Sequence, residues 1–161
     1  MSEPTLALII RALAPLRGLA WHGGPTPARA LRGVDARLAR WRPSRGGHTI
    51  WELALHVAYW DHTVRRRLLG AAVPRFPRGP ANFPSMPKRA DEGAWTADRA
   101  LLAHEHRLLV EVVEGFPARL LTRRISRSRR WTYGDTILGI TVHDAYHAGQ
   151  IQLLKRLGRR N

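Results

Sequence analysis

His143 and His147 stand four residues apart in the segment TVHDAYHAGQI. On a helix that spacing stacks both imidazoles on one face, where they can share one divalent ion. A third histidine, His56, lies in TIWELALHVAYW. One nitrogen from each ring would make a facial metal site. Cysteine is absent, which excludes disulfides, thiolate nucleophiles and thiolate ligands, so any metal must be held by nitrogen or oxygen. A histidine pair at this spacing also occurs as two satisfied core groups, and spacing by itself does not choose between the two. No Ser-His-Asp set and no phosphate-binding loop stands out in the chain.

The elements that must position these residues are helical. Thr49 with Glu52 three residues on has the form of a capping box, and Ile50, Leu53, Val57, Trp60, Val64 and Leu68 then recur at spacings of three and four. That pattern predicts a helix ending near Gly70. A second runs from Asp91 to Glu114, with Leu101, Leu102, Leu108, Leu109, Val112 and Val113 on its apolar side, and stops before Gly115 and Pro117. A third starts after Thr132, whose partner Asp135 again lies three residues on, and carries Ile137, Ile140, Ile151, Leu154 and Leu157 to Gly158. A weaker helix is expected over Thr26 to Arg40, with a short extra one at Leu6 to Leu13. The turn Trp21-His22-Gly23-Gly24-Pro25 separates these two.

Pro74, Pro77, Pro80, Pro84 and Pro87 interrupt the connection before Asp91, so it cannot be helical throughout. A long connection of this kind lets successive helices of a bundle run parallel. The fold class is therefore all-α: a four-helix bundle with a long crossover between the second and third helices, in a single domain over residues 1–161. The stretch Arg119 to Trp131 has few helix signals and is expected to hold extended structure around Arg123 to Trp131.

Within this frame His143 and His147 occupy the stripe Ile140, His143, His147, Ile151 and Leu154, and therefore point inward. Burying two polar rings costs a few kcal/mol unless their nitrogens are satisfied. His56 shares a side with Leu53 and Trp60, so it too borders the core, and a metal shared by the three would satisfy one nitrogen of each ring. His62, His104 and His106 do not share that geometry and are assigned surface or hydrogen-bonding roles. His48, just before a helix cap, is assigned a structural one. His22 could approach the pocket. Three further side chains could orient the ligands: Glu52, four residues before His56 but also the capping-box acid; Asp144, three before His147; and Gln150, three after it. Tyr59 and Tyr146 each lie three residues after a ligand and could offer a phenolic hydroxyl, although core packing accounts for both.

The formal charge is +15, with 44% hydrophobic and 24% charged residues in 161. Lys88 and Lys155 are the only lysines among the basic residues, and the segment from Asp91 to Glu114 is acidic instead. The densest basic run is Arg123, Arg124, Arg127, Arg129 and Arg130 beside Trp131 and Tyr133, which could bind phosphate or stack on bases. A solvated loop accounts for it equally simply. No apolar run approaches the roughly 18 residues of a spanning helix. The N-terminal LALII is short for a secretory signal and lacks preceding basic residues, so no membrane association and a cytoplasmic location are expected.

HTIWELALHVAYWDHTVRRRL together with WTYGDTILGITVHDAYHAGQIQLLKRLG resembles the DinB-like (YfiT-type) family of metal-dependent proteins. The resemblance covers roughly residues 20 to 158, and HDAYHAGQI is its most specific piece. It implies a four-helix bundle with a long crossover and a metal site built from one histidine of the second helix and two of an HxxxH on the last. Those positions are His56, His143 and His147 here. Three neutral imidazoles leave coordination positions open, as catalytic sites do, and zinc or nickel suits them best, with iron or manganese as alternatives.

The resemblance also implies an enzyme that activates water or a low-molecular-weight thiol for transfer or hydrolysis on a small-molecule substrate, and a homodimer. The competing expectation is a non-enzymatic stress or DNA-damage-response protein with a basic anion- or nucleic-acid-binding surface. A purely structural metal is a third.

Overall fold

Two capping boxes begin the two helices that carry the histidines. The Thr49 side chain accepts from the Glu52 backbone N–H while the Glu52 carboxylate accepts from Thr49 N at 2.8 Å, and Thr132 and Asp135 repeat the arrangement. Each box satisfies two amides that a helix start leaves without partners. In the computed structural model, which describes residues 3–15, 24–43, 46–79, 81–126 and 130–160, six α-helices follow in order. They are α1 (Glu3–Leu13), α2 (Pro27–Ala30), α3 (Ala36–Arg40), α4 (Ile50–Leu69), α5 (Glu92–Glu114) and α6 (Tyr133–Gly158).

α4, α5 and α6 match the expected periodic segments. Contacts between α4 and α5 advance in the same sense, from Trp51 with Asp98 to Asp61 with His106, so the two run parallel. The long connection between them is what permits this. α6 runs antiparallel to both, placing His143 against Trp60, Asp144 against His106, and His147 against His56. Among the described residues no strand occurs, and the extended structure expected around Arg123 to Trp131 is a single antiparallel bridge between Arg124 and Thr132. No described helix is long and apolar enough to cross a membrane.

The expected helix over Thr26 to Arg40 is two short helices. Thr26 caps α2, Asp35 caps α3, and between them Gly33 adopts φ +68°, a left-handed turn that a residue with a Cβ adopts only with strain. The N-terminal helix is correspondingly longer than Leu6 to Leu13, and it buries Leu6, Ile9 and Leu13. α1 packs on α5 and α6 in one apolar cluster with Val64, Leu109, Val113, Ile137 and Ile140. Residues of α2 and α3 belong to a second cluster, with Trp51, Leu53, Trp95, Leu102 and Ile151. One side of the bundle is thus filled by α1 at one end and by α2 with α3 at the other.

The crossover is tied down by charge as well as by packing. The Arg78 guanidinium donates to both carboxylate oxygens of buried Asp98 at 2.6 Å, and the Trp51 indole donates to the same carboxylate at 2.8 Å. Phe76 is buried beside them. The crossover can then lay Asn82 and Phe83 against the middle of α4. Along the bundle, His56, Asp61, His106, Asp144 and His147 fall between the two apolar clusters, so the core has apolar ends and a polar middle layer.

Candidate metal centre

His56, His143 and His147 converge in that layer. Each offers a ring nitrogen, and the three nitrogens all lie within 4.8 Å of one another. The Nε2 atoms of His56 and His143 are 3.0 Å apart, and the ring centroids of the three pairs are 4.4, 4.6 and 5.0 Å apart. His56 and His147 are buried, and His143 is partly exposed.

The opposite nitrogens are all engaged. His56 Nδ1 donates to the Asn82 carbonyl at 2.7 Å, His147 Nδ1 donates to Gln150 Oε1 at 2.7 Å, and His143 Nδ1 lies 3.3 Å from Asp144 Oδ1. With acceptors at Nδ1, each ring keeps its proton there and turns the Nε2 lone pair toward the other two rings. Facing lone pairs at 3.0 Å repel unless a cation or a proton lies between them. Two nitrogens bound tetrahedrally to zinc at about 2.0–2.1 Å are themselves roughly 3.3 Å apart, close to the spacing seen here.

Protonation offers the other way to relieve the contact, and burial opposes it. Desolvation, reinforced by the neighbouring His147 and His143, pushes the His56 pKa down to about 4. Burial and then His143 lower that of His147, against a smaller opposing effect of Gln150. A metal needs neutral imidazoles, and burial favours the neutral form of His56 and His147.

The three orienting candidates have different surroundings. Gln150 holds His147, and its amide donates to the Tyr146 hydroxyl at 3.0 Å. Asp144 is 1% exposed and contacts His143 and His106. Glu52 serves its helix start: besides Thr49 it pairs with Arg42 at 2.6 Å and lies 3.7 Å from His48, while the acceptor for His56 is Asn82.

Asn82 and Phe83 escaped the sequence reading, because a Pro-rich connection has no periodicity from which to place a side chain. Asn82 also accepts from the Trp60 indole at 2.6 Å through Oδ1. Phe83 stacks on His56 at 4.1 Å and on His48 at 3.9 Å, walling the site from the crossover side. Tyr59 packs edge-on against Trp60 and Phe76, and Tyr146 meets His147 edge-on at 5.0 Å. His22 lies outside the described residues.

His62 and His106 are not at the surface. His62 is buried against Glu105, which also pairs with Arg65 at 2.7 Å. His106 Nδ1 lies 3.1 Å from buried Asp61 and 3.6 Å from Asp144. Both have the hydrogen-bonding role expected of them, and His104, beside Arg107, has the exposed one. A cleft of about 370 Å³ opens beside His143, lined among others by Trp60, Arg67, Trp131 and Ile140. That volume lies within the range of small-molecule pockets. From the basic run, Arg123, Arg124 and Arg130 are exposed, and Arg127 and Arg129 lie outside the described residues.

A family model described as the DinB superfamily matches residues 26–151, the span that contains all three histidines and the crossover. No curated protein and no solved structure matches the chain.

Proposed function

The chain belongs to the DinB superfamily, and on that premise we propose that it is a metal-dependent enzyme in which His56, His143 and His147 hold a divalent ion that serves a small-molecule transfer or hydrolysis. The observation that carries this reading is the convergence of three imidazoles whose Nδ1 atoms are all engaged elsewhere. Zinc and nickel suit an all-imidazole set best, with iron and manganese as alternatives. When bound, such a metal supplies Lewis acidity toward a water or a low-molecular-weight thiol.

The protein's own residues do the rest. Asn82, Asp144 and Gln150 hold the rings in one tautomer, and Phe83 and Trp60 exclude water from two sides. The cleft beside His143 admits a small molecule to the partly exposed edge of the triad. Three protein ligands leave a position open, which favours a catalytic over a closed structural site.

Metal analysis of the purified protein tests the reading. Stoichiometric divalent metal is expected in the wild type, with loss in His143→Ala and His147→Ala. Turnover of electrophilic small molecules, assayed with and without added thiols, should fall with the metal. Equal metal content in the wild type and in a variant lacking all three histidines would overturn the proposal.

A further inference from the structure

The crossover covers a second cleft, on a face of α4 turned away from the triad. Tyr59, His62, Thr63 and Arg66 share that face at spacings of three and four, and with Arg75 and Phe76 of the crossover they line a space of about 430 Å³. His62 is six residues beyond His56, roughly 120° round the helix from it. No histidine of the triad lines this cleft. Its volume is that of a small-molecule pocket.

The lining is cationic at the rim and aromatic along one wall. Arg66 and Arg75 are exposed, and among the described residues no acidic side chain pairs with either, whereas Arg65, Arg78 and Arg107 are each matched by a carboxylate. Two guanidiniums thus bring uncompensated charge to one cleft, one from the helix and one from the crossover. Tyr59 and Phe76 meet edge-on at 5.7 Å and supply the apolar wall. His62 is 4% exposed, and its Nε2 is buried without a hydrogen-bond partner. Leaving such an atom unmade costs about 1–3 kcal/mol. The other ring nitrogen, Nδ1, lies 3.3 Å from both Glu105 Oε2 and Arg65 Nη2. When Nδ1 accepts from Arg65, the ring proton sits on Nε2, on the far side of the ring from Glu105, as a third donor for an anion.

A guanidinium recognises phosphate and carboxylate alike, but the number of charges separates them. Two guanidiniums balance the roughly −1.5 to −2 charge of a phosphate monoester at neutral pH, and a carboxylate would leave one of them uncompensated. We propose that the cleft between α4 and the crossover binds a small phosphate monoester, with the phosphate held by Arg66 and Arg75 and the organic body against Tyr59 and Phe76. His62 donates to the phosphate through Nε2. Nothing in this inference depends on metal.

Isothermal titration calorimetry with phenyl phosphate tests the proposal at about 0.15 M salt, where the diffuse attraction of a +15 chain is screened beyond about 8 Å. One saturable site per chain is expected, with a Kd below about 1 mM. Arg66→Gln and Arg75→Gln each alter an exposed side chain and should each weaken binding about 10-fold or more, the loss of one charge-assisted hydrogen bond. Arg124→Gln, exposed and outside the cleft, should leave it unchanged. Inorganic phosphate and benzoate each lack one half of the ligand, and both should bind more weakly. Binding should survive His143→Ala, which separates this site from phosphate held by a metal ion. On titration with phenyl phosphate the imidazole nitrogen resonances of His62 should move toward the Nε2–H tautomer. Absence of saturable binding, its loss in His143→Ala, or an Arg124→Gln effect equal to that of Arg66→Gln and Arg75→Gln would overturn the proposal. So would His62 resonances that stay in place, or benzoate binding as tightly as phenyl phosphate, which would mark a carboxylate site instead.

Discussion

Two three-residue clusters share the polar middle layer, and they solve burial in opposite ways. His56, His143 and His147 are all neutral-base donors, whereas Asp61, His106 and Asp144 combine two carboxylates with one imidazole. In the second cluster burial opposes charge on His106, but the hydrogen bonds and charges of Asp144 and Asp61 outweigh it and push its pKa up to about 10. Burial and the Asp144 charge push Asp61 up to about 8. At neutral pH the cluster therefore holds a charged imidazolium beside a carboxyl, that of Asp61, which keeps its proton. Among the described residues, Asp61 Oδ1 and Asp144 Oδ2 are buried without a hydrogen-bond partner. The triad has no internal counter-charge to use, and its facing lone pairs suit a cation from outside. Composition, more than burial, is what sets a cluster that can supply its own counter-charge apart from one that could hold a metal ion.

The largest expected effect separates them directly. His106→Leu removes the imidazolium from between two buried acidic side chains, and breaking such a pair costs about 3–5 kcal/mol. Urea denaturation of metal-free protein at neutral pH should show that loss, and His143→Leu should cost much less. Equal losses would break the distinction.

Metal loading provides the converse test. A ligand that binds only the folded state stabilises it by about 2.7 kcal/mol at 100 times its Kd and about 4.1 at 1,000 times. The wild type should gain an amount of that order with zinc or nickel, by thermal denaturation, and His143→Ala with His147→Ala should gain nothing. A gain in that double variant would mean that Asp61, His106 and Asp144 also take an ion, and the two clusters would no longer differ in kind.

The pH dependence of metal-free protein should carry both signs. His106 has a folded pKa above its ordinary value, so its contribution is full below about 6.5 and is lost as pH rises through about 10. Asp61, raised to about 8, adds loss in the same direction over a lower range. His56 is depressed to about 4, so its effect is the reverse: stability falls as pH drops from 6.5 through about 4. Asp61 and His56 therefore oppose each other between about 4 and 6.5, while above that range Asp61 and His106 act together, so denaturation midpoints should fall on the alkaline side and change little on the acid side. His106→Leu should flatten the alkaline side, and His56→Ala should leave the Asp61 effect unopposed, so that stability rises toward acid pH.

How legible each cluster was in the sequence follows from the same physics. His143 and His147 were placed inward because they interrupt the stripe between Ile140 and Ile151. The same test applies to His106, between Leu102 and Leu109, and to Asp61, between Val57 and Val64, and it would have put both in the core. A spacing of two between His104 and His106 speaks only against a shared metal ligand set and says nothing of burial, and an aspartate alone on a helix carries no signal of its own. The helix starts were legible from local chemistry, since Thr49, Asp91 and Thr132 cap within three residues. The split at Gly33 was not, because a glycine is tolerated in a weak helix unless its φ is known. Nor was the acceptor for His56, a backbone carbonyl that any residue at position 82 could supply once Arg78 and Asp98 had anchored the crossover.

The smallest effects concern the two orienting candidates with different partners. Gln150→Leu removes the acceptor at His147 Nδ1 and should weaken metal affinity 10- to 100-fold, or about 1.4–2.7 kcal/mol, by competition against a chromophoric chelator. Glu52→Ala should instead cost about 1 kcal/mol of folding stability through the lost half of its capping box, with metal affinity unchanged. The carboxylate faces Thr49, Arg42 and His48, and the His56 ring is already held from the crossover. A fall in affinity on Glu52→Ala would mean that the start of α4 and the ligand one turn along it are coupled. The metal centre would then depend on the helix cap as well as on the Asn82 carbonyl.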